Sequence, residues 1–149
     1  MSTNTDHRLF ELADRVLAIG RHLRALQESE TQTCTTVESA VIRHITQNPG
    51  ASPHEIAKAT VLHSSNVART LRALEEKGMV YREKHETDAR RTRLFPTERA
   101  GQDLEDLHGV WRTALADIIE EPEVLDALTS SLARLEEGVA ARRAARADR

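Results

Sequence analysis

A mainly helical chain with one small β-hairpin is the fold class this sequence predicts, and three observations carry it. Aromatic residues make up only 3% of the 149 residues while hydrophobic residues reach 39%, so Leu, Ala and Val must do most of the packing, which favours helices over an aromatic-rich sandwich. Apolar residues recur at alternating steps of three and four along both ends of the chain, the helical period. That period changes after Gly78, where short β-prone runs flank a charged, turn-prone tip. The length suffices to bury a core.

The elements follow in order. Leu9, Leu12, Val16, Ile19, Leu23 and Leu26 form a heptad seam on a first helix, which serves either its own domain or a helix shared with a second subunit. Residues Glu28 to Thr36 are polar and read as a connection. A second helix carries Val37, Val41, Ile42 and Ile45 and stops at Asn48-Pro49-Gly50. Ser52-Pro53-His54-Glu55 is a helix start, with Ser52 as cap, Pro53 in the first helical position and Glu55 completing a capping box. That short helix buries Ile56 and Ala57 and ends near Thr60. After the turn Val61-Leu62-His63, a further helix runs from about Ser64 to Lys77 on a Val67, Leu71, Leu74 stripe and stops at Gly78. Two helices joined by a short turn make a helix-turn-helix. Met79 to Lys84 and Thr92 to Phe95 then read as two paired strands, with His85 to Arg91 at the tip, so the hairpin is a wing. Leu104, Leu107, Trp111, Leu115 and Ile118 form the stripe of the next helix. Leu125, Leu128, Leu132, Leu135 and Val139 repeat the rhythm after Pro122, and the Arg/Ala-rich tail Ala140–Arg149 lacks an apolar face and is expected to fray. The expected organisation is residues 1–36 as dimerisation helix and connection, 37–98 as the winged helix-turn-helix, and 99–149 as C-terminal dimerisation helices and tail.

Composition excludes several classes. No apolar run approaches the roughly 20 residues of a membrane span, and the start lacks a secretory signal. Cys34, the one cysteine, cannot close an internal disulfide, so a reducing cytoplasm is the expected compartment. There is no Gly-rich phosphate loop, no G-x-S-x-G and no compact metal motif, so neither an enzyme nor a cofactor is expected. The formal net charge is −3, yet its distribution is uneven. Between Gly50 and Arg99 ten Lys/Arg face seven Asp/Glu, a surplus of three, which leaves −6 on the flanks. A basic centre between acidic flanks suits a nucleic-acid-contacting lobe on a scaffold that does not touch the nucleic acid.

The stretch from Ser52 to Gly101 resembles the MarR family of bacterial regulators. The resemblance is carried by Ser52-Pro53-His54-Glu55-Ile56-Ala57, by Val67-Ala68-Arg69-Thr70-Leu71, and by Leu74-Glu75-Glu76-Lys77-Gly78-Met79-Val80. It continues through Asp88-Ala89-Arg90-Arg91 and Leu94-Phe95-Pro96-Thr97-Glu98-Arg99-Ala100-Gly101. It implies a homodimer built by the outer helices, here Leu9, Leu12, Val16, Ile19, Leu23, Leu125, Leu128, Leu132 and Leu135, with Trp111 near the junction of scaffold and DNA lobe. It also implies a repressor reading a pseudo-palindromic double-stranded operator, with half-sites about 10 bp apart.

For the DNA contacts, the recognition helix presents Ser64, Ser65, Asn66, Arg69, Thr70 and Arg72 away from its apolar stripe. Ser65, Asn66 and Arg69 are expected at base edges, since Asn suits adenine and Arg suits guanine. The plainer readings are helix capping for Ser64 and Ser65, and a solvated face paired with Glu75 or Glu76 for the arginines. At the wing, Arg90 is expected to enter the minor groove, with Asp88 bracing Arg90 or a neighbouring Arg, and Arg91 and Arg93 serving phosphates or the hairpin itself. A charged hairpin is otherwise only a solubilised edge. Family members commonly respond to a small ligand, an oxidant or zinc. Here Cys34 reads as a structural thiol before a redox sensor, and His44 and His108 with Glu38 or Cys34 show no tight ligand spacing. An orphan regulator without effector, and a winged-helix protein adaptor, are the competing readings.

Overall fold

A computed structural model describes residues 3–30, 33–84 and 91–147. The element order is α1 (Thr3–Glu30), α2 (Thr36–Gln47), α3 (Pro53–Thr60), α4 (Ser64–Glu76), β1 (Val80–Lys84), β2 (Thr92–Pro96), α5 (Glu98–Leu115) and α6 (Pro122–Ala147). The chain forms two units, Met1–Trp111 and Arg112–Arg149.

In the first unit the helix boundaries follow from local chemistry. Thr35 caps α2: its hydroxyl accepts from the Glu38 N–H at 3.2 Å, and the Thr35 N–H donates to Glu38 Oε2 at 2.7 Å. Ser52 and Glu55 make the same reciprocal box at α3, at 3.2 and 2.7 Å, so two of the orphan donors at each helix start are satisfied. Between α3 and α4 the chain turns at Val61, whose φ of 59° is left-handed, an uncommon state for a β-branched residue that costs about 1–2 kcal/mol. At the far end of α4, Gly78 at φ 68° closes the helix, with the Met79 N–H on the Leu74 carbonyl and the Gly78 N–H on the Glu75 carbonyl, both at 2.9 Å. That double bond is the Schellman arrangement, and it needs a residue without a Cβ penalty.

β1 and β2 pair antiparallel, with Val80 opposite Pro96 and Lys84 opposite Thr92. The chain at Ala51 adds a bridge to Leu94, through Gly50 N–H to Leu94 carbonyl at 2.8 Å and Leu94 N–H to Ala51 carbonyl at 3.0 Å. The core lies where these elements meet: Val41, Ile42, Ile45, Ile56, Val67, Leu71, Leu74, Met79, Leu94 and Ala100 are all essentially fully buried. Thr97 seals the root of the wing, its hydroxyl donating to the Gly78 carbonyl at 2.7 Å and accepting from the Ala100 N–H at 3.3 Å.

Several boundaries differ from the sequence expectation. α1 continues to Glu30, α5 stops at Leu115 so that Ile118 lies beyond it, and the Arg/Ala-rich tail is helical to Ala147 rather than frayed. Ala and Arg are among the best helix formers, and that propensity sustains α6 where an apolar face is lacking. Val37, placed with the inward residues of α2, is exposed; Val41, four residues on, opens the buried stripe instead. On α1, Leu9, Leu12, Val16, Ile19 and Leu26 are exposed, and in the second unit no residue of α6 is buried.

Candidate nucleic-acid interface

α4 turns one face inward and leaves the other bare. Its buried side is Val67, Leu71 and Leu74, spaced by four and three, and this fixes the outward residues by periodicity. Ser64, Ser65, Arg69 and Arg72 are exposed and Asn66 is half-buried. Ser65, Asn66, Arg69 and Arg72 share an open depression of about 520 Å³ with Ala73 and Glu76.

Within it, Arg69 Nη2 donates to Asn66 Oδ1 at 2.7 Å, so two of the three side chains expected at base edges hold one another. That bond does not use the Asn66 amide donors or the rest of the guanidinium fork. Helix capping is not what Ser64 and Ser65 do: His63 is the N-cap, and it makes no side-chain cap bond. The Glu75 partner expected for an α4 arginine is taken by Arg82 of β1, whose Nε donates to Glu75 Oε1 at 2.7 Å, so this ion pair ties the wing to the recognition helix.

Thr70 does not belong with the outward set. It is only 9% exposed, because position 70 falls three after Val67 and four before Leu74, on the buried stripe itself. The spacing alone was sufficient to place it there.

In the wing, Asp88 and Arg90 lie outside the described residues. Arg91 is exposed just before β2. Arg93, also exposed, is engaged with the hairpin root: its Nε donates to the Gly50 carbonyl at 3.4 Å and its guanidinium lies 5.7 Å from the Phe95 ring centroid. A Cβ at Gly50 would come within 2.5 Å of Arg93 Nη2, and Gly50 has a φ of 86°, so glycine admits both the turn and the arginine.

The candidate sensor residues are equally committed. Cys34 is buried at 6% exposure, and its thiol is pushed up to about 12 by burial, then by the neighbouring Asp103 and Glu38 carboxylates. A thiol so resistant to ionisation is a poor nucleophile. Glu38 is bonded to Lys77 and to its own helix cap, and His44 sits 3.4 Å from the Asn48 amide. Among the described residues no group of three His, Cys, Asp or Glu could hold a metal ion, and no helix is long and apolar enough to cross a membrane.

Sequence reasoning missed the Thr35–Glu38 capping box, although Thr-x-x-Glu is the signal for one. It also missed Lys77, whose partners lie about forty residues away. Such a contact has no local signature.

A short helix, a tight turn, a second helix with a bare polar face, and a hairpin tied to that helix by Arg82–Glu75 define a winged helix-turn-helix protein. Residues 34–92 match the MarR family profile, so this part of the chain is similar to the MarR family. The crystal structure of MarR is 27% identical, with a TM-score of 0.68 over 86% of this chain and 97% of that one. A MarR family protein from Bacillus stearothermophilus gives a TM-score of 0.76 at 17% identity, covering 93% of this chain and 98% of its own. The transcriptional repressor CouR, bound to a 23-mer DNA duplex, gives 0.67 at 22% identity, covering 85% and 90%.

Proposed function

We propose that the protein is a homodimeric, ligand-responsive repressor that reads a pseudo-palindromic operator through α4. The observation that carries this reading is the Asn66–Arg69 pair on the bare face of a helix whose other face is locked into the core. The first turn of α4 adds to it. With no side-chain cap at His63, N–H groups at that helix start are available to a phosphate. CouR, bound to duplex DNA and described as a repressor, supports the same reading by its fold.

Homodimerisation rests on the uncovered apolar seams of α1 and α6. Leu9 to Leu26 and Leu125 to Val139 repeat at helical spacing, and most of them are about half exposed. A face of that length needs a second apolar face, and a second copy supplies one by symmetry.

The effector part rests on Arg43 and Trp111. The Arg43 guanidinium lies 5.0 Å from the centroid of the indole. Its Nη1 and Trp111 Nε1 are buried donors without an acceptor among the described residues. An unmet buried donor is costly, and an anionic group placed between them would remove that cost.

The test of DNA reading is a salt titration. Affinity for duplex DNA is expected to fall steeply and log-linearly with salt, and Arg72→Ala to reduce the slope by about one while leaving base preference intact. A slope near zero in the parent would remove DNA as the partner.

A further inference from the structure

The recognition helix is held at its C-terminal end by a side chain that has no place in the DNA-facing set. Lys77 is the C-cap of α4. Its ammonium donates to the Thr33 carbonyl at 2.9 Å and to Glu38 Oε1 and Oε2 at 2.9 and 2.8 Å. These acceptors match the three N–H bonds an ammonium offers. Glu38 is only 8% exposed at its side chain and at the same time caps α2 through Thr35. Immediately beside it, Gln27 Nε2 of α1 donates to the buried Ser39 hydroxyl at 2.8 Å. The end of the recognition helix is therefore tied to the point where α1 hands over to α2.

Apolar packing along Val67, Leu71 and Leu74 holds α4 against the core but is non-directional, so it sets the angle of the helix less sharply than directional bonds do. Charge-assisted hydrogen bonds are directional and resist tilting. The lever is long enough to matter. A tilt of about 10° about Lys77, carried along a helix rising about 1.5 Å per residue, moves Ser65 by about 3 Å, close to one base-pair step.

We propose that Lys77, through Glu38 and the Thr33 carbonyl, is a positioning residue for operator reading. It sets the angle of α4 to α1, and with it the separation at which the two recognition helices of a dimer meet their half-sites. This rests on the DNA-reading homodimer proposed above.

The test uses the full chain and duplexes carrying its selected half-site as an inverted repeat, at the best spacing and at one and two base pairs shorter and longer. The parent is expected to lose about tenfold or more in affinity per base pair of displacement. Lys77→Gln and Glu38→Gln are expected to flatten that preference to within about threefold while keeping the base preference inside each half-site. Lys77→Arg, whose guanidinium can reach the same acceptors, is expected to restore it. Glu38→Gln retains the capping box, since Gln serves at that position as Glu does, so it decides the matter if Lys77→Gln fails to fold. Variants that keep the parent's spacing preference, or weaken binding equally at every spacing, overturn the positioning role alone. A parent without any spacing preference removes the dimeric DNA reading, and this inference with it.

Discussion

Glu38 stands at the meeting point of α1, α2 and α4, and its ionisation ties their union to pH. Burial is the largest influence on its carboxyl and pushes it up, but the bonds from Lys77 and from the Thr35 backbone outweigh burial and bring it below its ordinary value of 4.5. A carboxyl lowered by folding contributes stability that is complete above the unfolded value and lost as pH falls through the folded one. Glu38→Gln is therefore expected to cost about 1–3 kcal/mol at neutral pH, with the difference from the parent shrinking well below pH 4.5. Urea unfolding of both proteins across that range measures it, and a constant difference would contradict the ionic role. Asp103, raised chiefly by burial, has the opposite sign but is common to both proteins. The exposure of Ser65 and Arg69 was legible because a period of 3.6 places them opposite the apolar stripe, whereas Asn66 lies on its flank and is half-buried. Thr70 was misplaced by its polarity, where its register with Val67 and Leu74 decided. Lys77 was illegible, because nothing near it in sequence announces Thr33 or Glu38.

The helix-turn-helix and its hairpin were legible element by element, since each boundary has a local cause: Ser52 with Glu55, Gly78, and the change of period at Met79. α5 and α6 were less so. Their apolar rhythm runs on past Leu115 to Ile118, and rhythm alone does not register where a helix stops. The seams of α1 and α6 were visible as heptads, and they are largely exposed in the single chain, which is what the proposed dimer rests on. Leu132→Glu, on the exposed face of α6, is expected to convert a dimer to a monomer and to weaken operator binding by on the order of a hundredfold, since each half-site then binds alone. Sedimentation at micromolar concentration measures the first effect. A variant that stays dimeric would take α6 out of the interface.

Across the whole molecule, a net charge of −3 conceals an uneven division of charge. The basic segment from Gly50 to Arg99 holds α3, α4 and the wing, while the acidic flanks hold the remaining helices, so the proposed attraction to DNA is expected in the middle segment. On the proposed two-fold dimer, such a lobe is expected to read symmetric DNA. The decisive measurement is selection of the full chain against random duplex DNA at fixed salt, repeated with Arg69→Ala and Arg90→Ala. The expected result is a two-fold-symmetric site with half-sites centred about 10 bp apart. In Arg69→Ala, discrimination at one base pair per half-site is expected to relax by about 1–3 kcal/mol. Enrichment of no symmetric site, with both variants behaving as the parent does, would contradict operator reading and leave the winged helix as a surface for another protein.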